Sequence, residues 1–168
     1  MRNALGNAPQ GEELWAFSLA FYACPGVAEA LLALQDRGGL DVNLMLFALW
    51  LGWSGRGRLD RDALAAAERA IGTLRDEIVE PVRTLRRRLK DNSEEDVQGF
   101  RERVKALELA AEELVQSRLA RLAATKGRIG DGLAAARANF DFYLARKGGG
   151  APEAAIILEA FERFAAGR

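Results

Sequence analysis

Residues Leu40 to Trp53 read LDVNLMLFALWLGW, and from Val42 to Leu51 the one polar side chain is Asn43. A helix that is apolar on every side has no face to give to water, so it belongs at the centre of a structure. The run is about a dozen residues against the ~20 that cross a bilayer, so a buried core helix is expected rather than a membrane span. Asp41 stands where its carboxylate can accept from free backbone amides two or three residues on, which caps the helix. Gly52, Gly55 and Gly57 close it through a glycine-rich link from Trp53 to Arg58.

Upstream, residues 1 to about 10 have no periodicity and read as a loose tail. A first helix is expected from about Gly11 to Ala23. Leu14, Ser18 and Phe21 form one stripe there, and Trp15, Leu19 and Tyr22 a second beside it. Pro25 suits the start of a second helix, which buries Val27, Leu31 and Leu34 and stops at Gly38 and Gly39.

Downstream the character changes to long, charged, alanine-rich helices. Leu64, Ala67, Ile71, Leu74, Ile78, Val82, Leu85 and Leu89 step by three or four residues, close to a heptad seam. Pro81 lies inside that pattern and predicts a kink near Glu77 to Pro81. Asp91-Asn92-Ser93 reads as a turn, with Ser93 and Asp96 spaced as a capping box. Val97, Phe100, Val104, Leu107, Ala111 and Leu114 continue the seam in a helix reaching about Ala124. The short turn makes the two helices an antiparallel hairpin. Gly127, Gly130 and Gly132 break the pattern. A sixth helix points Leu133, Phe140 and Leu144 inward with Tyr143 beside them, and after the joint Gly148-Gly149-Gly150 a last helix starts at Pro152 with the stripe Ile157, Phe161 and Phe164. The expected fold is all-α: about seven helices in one domain over 1–168, around a buried central helix. It divides into apolar N-terminal helices (11–58), a long charged hairpin (59–124) and C-terminal helices (128–168).

The composition narrows the chemistry. The 168 residues are 49% hydrophobic and 29% charged, with 24 Lys and Arg balancing 24 Asp and Glu, so no overall field draws in nucleic acid or anionic membrane. There is no histidine and one cysteine, Cys24. That removes histidine acid–base chemistry, the usual zinc sets, disulfides and Cys–His catalysis. The N-terminal residues have no apolar run ahead of Glu12 and Glu13, so no signal peptide is expected and the cytoplasm is the default location.

The stretch LWAFSLAFYACPGVAEALLALQDRGGLDVNLMLFALWLGW, with IVEPVRTLRRRLK and VKALELAAEELVQ, resembles a family of small bacterial helical proteins of unknown function. The similarity covers most of Leu14 to Gln116, and Leu34-Gln35-Asp36 through Val42-Asn43-Leu44 is its most specific part. The resemblance implies a bacterial cytoplasmic setting and carries no activity.

Three clusters are candidates for function. Arg83, Arg86, Arg87, Arg88 and Lys90 could grip phosphate. They also complement the dipole at a helix C-terminus and, in a hairpin, are expected to face Glu94, Glu95 and Asp96. The same geometry sets Arg75 opposite Glu108. Glu108 and Glu112, one turn apart with Lys105 a turn earlier, are buried ion-pair candidates. As a metal site they lack the Glu-x-x-His element of dinuclear bundles, a carboxylate-only magnesium site remaining the alternative, so no metal and no cofactor is expected. Ser18, Gln35, Asp36 and Asn43 are polar residues in an apolar region. They either satisfy helix ends or form the polar part of a pocket lined by Trp15, Tyr22, Phe47 and Trp50. Trp53 either anchors a partner or tucks under the glycine link. The leading expectation is a non-catalytic helical protein that binds another protein, or a second copy of itself, through the hairpin or the last helix. The alternatives are a small-ligand pocket or unrecognised enzyme in the N-terminal half, and anion or RNA binding by the Arg83–Lys90 cluster.

Overall fold

The computed structural model describes residues 10–123, 132–148 and 152–167. The tail before residue 10, the expected helix end at Ala124, the breaks at Gly127 and Gly130, and the joint at Gly149 and Gly150 lie outside the described residues. The protein is all-α. Its helices are α1 (Gln10–Tyr22), α2 (Val27–Gly38), α3 (Val42–Trp53), α4 (Arg61–Leu74), α5 (Glu80–Arg88), α6 (Glu95–Ala120), α7 (Gly132–Arg146) and α8 (Pro152–Ala166). Among the described residues there is no strand, and no single helix is long and apolar enough to cross a membrane.

Helix α3 is the hub, for the reason its sequence gives: every residue from Asn43 to Gly52 is buried. Asp41 caps it, its carboxylate accepting from the amides of Asn43 at 2.8 Å and Leu44 at 3.3 Å. Burial pushes the Asp41 carboxyl above the usual range against the pull of those two amides. Its own backbone N–H donates to the hydroxyl of Tyr143, 2.9 Å away on α7. Burial also raises the Tyr143 pKa, which keeps that phenol neutral.

The most extensive neighbour of α3 is α7, ahead of α1, α2 and the hairpin. Two glycines permit that contact. A Cβ on Gly52 would lie 2.4 Å from the backbone of Ala135 and Ala136, and one on Gly132 would lie 2.8 Å from the Trp53 carbonyl oxygen. Two helix backbones approach this closely only where side chains are missing. Asn139, also on α7, fixes the segment beyond α3. Its Oδ1 accepts from Leu59 N–H at 2.8 Å, and its Nδ2 donates to the carbonyls of Ala48 (3.3 Å) and Gly57 (3.2 Å).

Two expectations at helix ends are corrected. Pro25 does not open α2. Gly26 after it takes the left-handed conformation (φ 79°), which turns the chain, and the helix begins at Val27. Ser93 and Asp96 form no capping box. Instead Asn92 Oδ1 accepts from Glu94 N–H at 2.8 Å, and the Gln98 amide donates to the carbonyls of Leu89 and Asn92.

The effect of Pro81 takes the form of a π-helical turn, Arg75–Val79, joining α4 to α5. Proline has no N–H for the Glu77 carbonyl and its ring crowds that oxygen. Widening the preceding turn relieves the crowding, and Glu80 N–H donates five residues back to Arg75. α4 and α5 together form one arm of the hairpin and α6 the other.

Candidate functional site: a cleft inside the hairpin and an apolar face outside it

The inner side of the hairpin leaves a cleft of about 320 Å³ against α1, α2 and α3. Its walls are Trp15, Leu19 and Tyr22 from α1, Leu32 and Gln35 from α2, Val42 and Leu46 from α3, and Leu109 from α6. Leu19, Leu32 and Leu109 are exposed and give it an apolar mouth. The second stripe of α1, read from the sequence as Trp15, Leu19 and Tyr22, is therefore a cleft wall rather than core.

Its polar floor is Ser18, Asn43 and Gln116, which are 3%, 6% and 2% exposed. Gln116 Nε2 donates to Asn43 Oδ1 at 2.9 Å across the α3–α6 contact. Gln116 Oε1 and Ser18 Oγ are buried without a partner among the described residues. Asn43 Nδ2 likewise makes no hydrogen bond there. Unpaired buried polar atoms cost about 1–3 kcal/mol each, so these two, Ser18 Oγ and Gln116 Oε1, on one surface are a feature to be explained.

One side of the cleft carries a buried ion-pair cluster. Arg83 Nε donates to Glu108 at 3.1 Å and Arg83 Nη2 to Glu112 at 2.8 Å, while its Nη1 reaches Glu80. Arg86 binds both oxygens of Glu108. Burial opposes the Arg83 charge, but Glu80, Glu112 and Glu108 outweigh it and its pKa is raised. The Glu112 carboxyl is raised above its usual range by burial, with Arg83 pulling the other way. Burial and the nearby Glu112 charge raise the Tyr22 hydroxyl, which stays a donor at neutral pH.

This pairing differs from the expected one. Among the described residues, Glu94, Glu95 and Asp96 form no ion pair with the arginines, and Arg75 binds Asp76 at 2.8 Å and approaches Asp41 at 3.9 Å rather than facing Glu108. Long helical side chains lean toward their own N-terminus, which on α5 points away from the turn, so each arginine meets a carboxylate deeper in the hairpin. Arg87 reaches out to Asp36 at 3.2 Å, both exposed. Lys105 stands at the mouth, 3.7 Å from Glu102. Arg88 and Lys90 are exposed, with no ion-pair partner among the described residues.

Of the eight residues grouped as a pocket, the structure brings Trp15, Ser18, Tyr22, Gln35 and Asn43 to the cleft. Asp36 lies outside it. Phe47 and Trp50 are core, 6.2 Å apart, and Arg56 lies over the Trp50 ring at 5.3 Å. Trp53 tucks inward against Phe17 (5.7 Å), Phe164 (5.9 Å) and Phe161 (6.3 Å), an aromatic cluster joining α1, α3 and α8. That cluster occupies the apolar stripe of the last helix, which is not free for a partner. Sequence reasoning missed three buried polar residues, Arg56, Gln116 and Asn139. Arg56 sits in a glycine-rich link that reads as exposed, yet it is 6% exposed and pairs with Glu13.

The outer side of the hairpin is a different surface. Ile78 and Leu85 on one arm, and Phe100, Leu107 and Leu114 on the other, are exposed large apolar residues, Leu107 at 56%. Within each arm they recur every seven residues. Charge is graded along the first arm: Asp76, Glu77 and Glu80 are exposed at one end and Arg87, Arg88 and Lys90 at the other.

These features define an all-helical protein with a ligand-sized cleft inside a hairpin and an apolar seam outside it. The chain belongs to the family described as "Protein of unknown function (DUF2390)", whose model matches residues 13–119. The match takes in the whole cleft lining and the outer hairpin face. No curated protein and no solved structure matches the chain.

Proposed function

We propose that the protein is a non-catalytic helical binding protein that works through the outer face of its hairpin, and that the occupant of that face is a second copy of the chain. The observation that carries this is the set of exposed apolar residues repeating every seven along each arm, Ile78 and Leu85 on one and Phe100, Leu107 and Leu114 on the other. A seven-residue repeat of apolar side chains in water is the pattern by which helices pair. Contiguous exposed apolar patches on soluble chains mark such contacts.

The charge gradient favours a two-fold partner. When two copies of the first arm meet antiparallel, the acidic end of each, with Glu77, lies toward the basic end of the other, with Arg88, and both residues are exposed with no ion pair among the described residues. A self-complementary pattern of this kind suits an isologous interface. The test is sedimentation velocity of the full chain at low salt. Glu77→Arg should weaken association at least fivefold, and adding Arg88→Glu should restore it. A monomer at all concentrations, or a Glu77→Arg variant that associates as before, overturns the proposal.

A second reading, a small-molecule site in the cleft, is favoured by Ser18 and Gln116, buried without partners at its floor. Anion or RNA binding by Arg83 to Lys90 has less support, since Arg83 and Arg86 are committed to Glu80, Glu108 and Glu112.

A further inference from the structure

We infer that the cleft binds a neutral, largely apolar, planar molecule carrying one lactam or carboxamide group, with that group on Ser18, Asn43 and Gln116. The inference takes the small-molecule reading of the cleft as its ground and is independent of the hairpin face. Three observations on the cleft lead to it.

The first is the floor. The bond from Gln116 Nε2 to Asn43 Oδ1 uses one donor and one acceptor of two neighbouring amides. It leaves Asn43 Nδ2 as a donor and Gln116 Oε1 as an acceptor, with the Ser18 hydroxyl able to act as either. If both amides are turned over, the pair still leaves one donor and one acceptor, so the complement is the same. A ligand edge with an N–H beside a C=O supplies what these atoms lack. An ether, which only accepts, does not.

The second is charge. The ionised groups on the side of the cleft are already paired, Arg83 to Glu80, Glu108 and Glu112 and Arg86 to both oxygens of Glu108, while Arg87 and Lys105 in the lining pair with the exposed Asp36 and Glu102. A charged ligand would have to break one of these buried pairs or lie beside them unpaired, and either is costly. A neutral one leaves the cluster intact. The third is the wall. Trp15 and Tyr22 offer ring faces, and Leu19, Leu32 and Leu109 offer apolar contact at the mouth, which suits a flat apolar body.

The test is amide-detected NMR of the full chain titrated with quinolin-2-one, a neutral bicyclic lactam, and in parallel with its N-methyl derivative, which lacks the N–H. Quinolin-2-one should shift the side-chain amides of Asn43 and Gln116 and the indole of Trp15, and should bind at least fivefold more tightly than the N-methyl compound. Gln116→Met should abolish that preference. Ser18→Ala removes a hydroxyl that the fold leaves unpartnered, so it keeps a native spectrum and should weaken the lactam at least threefold. Equal binding of the two compounds overturns the ligand class and leaves the cleft reading standing. No binding by either, with the floor atoms held by water alone, overturns both.

Discussion

Replacing Gly52 by alanine tests the packing on which the fold depends. In an open helix Gly→Ala gains about 1 kcal/mol, because alanine loses less backbone freedom on folding. At Gly52 the new Cβ would stand 2.4 Å from Ala135 C and Ala136 N and 2.6 Å from Ala135 O. Carbon atoms settle near ~3.5–4.0 Å, so about 1 Å of overlap has to be relieved. The atoms in the way are backbone of α7, which cannot rotate aside as a side chain would. α3 and α7 must therefore separate along the largest helix contact in the molecule. Overpacking of this kind costs about 1–3 kcal/mol and occasionally more, and backbone overlap places Gly52 at the top of that range. After the propensity gain the net loss is about 2 kcal/mol, or about 4–8 °C in Tm for a chain of this length. Gly72→Ala on α4 is the control, since its Cβ would meet nothing within 4 Å. It should gain about 0.5–1 kcal/mol. Urea unfolding followed by circular dichroism measures both. A neutral or stabilising Gly52→Ala, or a shared sign for the two variants, refutes the packing argument.

Three further outcomes are expected. Glu108→Ala leaves Arg83 Nε and the Arg86 fork without their carboxylate and should cost about 3 kcal/mol in urea unfolding, since breaking one side of a buried pair strands the other; a loss under about 1 kcal/mol would mean the cluster is solvated. Asn139→Leu fits the volume but abandons Leu59 N–H and the carbonyls of Ala48 and Gly57, so a loss of about 2–3 kcal/mol is expected, and no loss would show those groups to be satisfied otherwise. Glu112→Gln tests pH linkage. The Glu112 carboxyl is raised in the folded chain, so between its unfolded and folded pKa the folded state binds the extra proton. Its contribution is present at low pH and lost as pH rises, so the stability difference between variant and parent should move in the variant's favour from pH 4 to pH 7; movement toward the parent contradicts the assignment.

The sequence announces α3 as central because nothing in it can face water, and it announces the hairpin because its apolar steps hold a helical period on both sides of a polar turn. The partner of α3 is harder to read. α7 offers Gly132 and a run of alanines where a large apolar stripe would be sought, and Gly52 reads as a helix stop, though each is a point of backbone approach. The cleft is half legible. Ser18, Gln35 and Asn43 stand out as polar residues in an apolar stretch, and Trp15 and Tyr22 share a stripe. Gln116 does not stand out, since an amide on a long charged helix looks like surface until α3 is laid against it. The pairing of Arg83 and Arg86 with Glu108 and Glu112 depends on how far long side chains lean along the hairpin, which residue spacing from the turn does not give.

Sedimentation equilibrium of the full chain, alone and as Leu107→Glu, tests the central claim most directly. Leu107 is the most exposed apolar residue of the outer face, at 56%, so the substitution should leave the fold and its circular dichroism unchanged. The parent chain should sediment at twice 18.3 kDa at micromolar concentration, and Leu107→Glu at 18.3 kDa. A parent chain that stays at 18.3 kDa throughout, or a Leu107→Glu chain that remains a dimer, contradicts the hairpin face as the site of self-association.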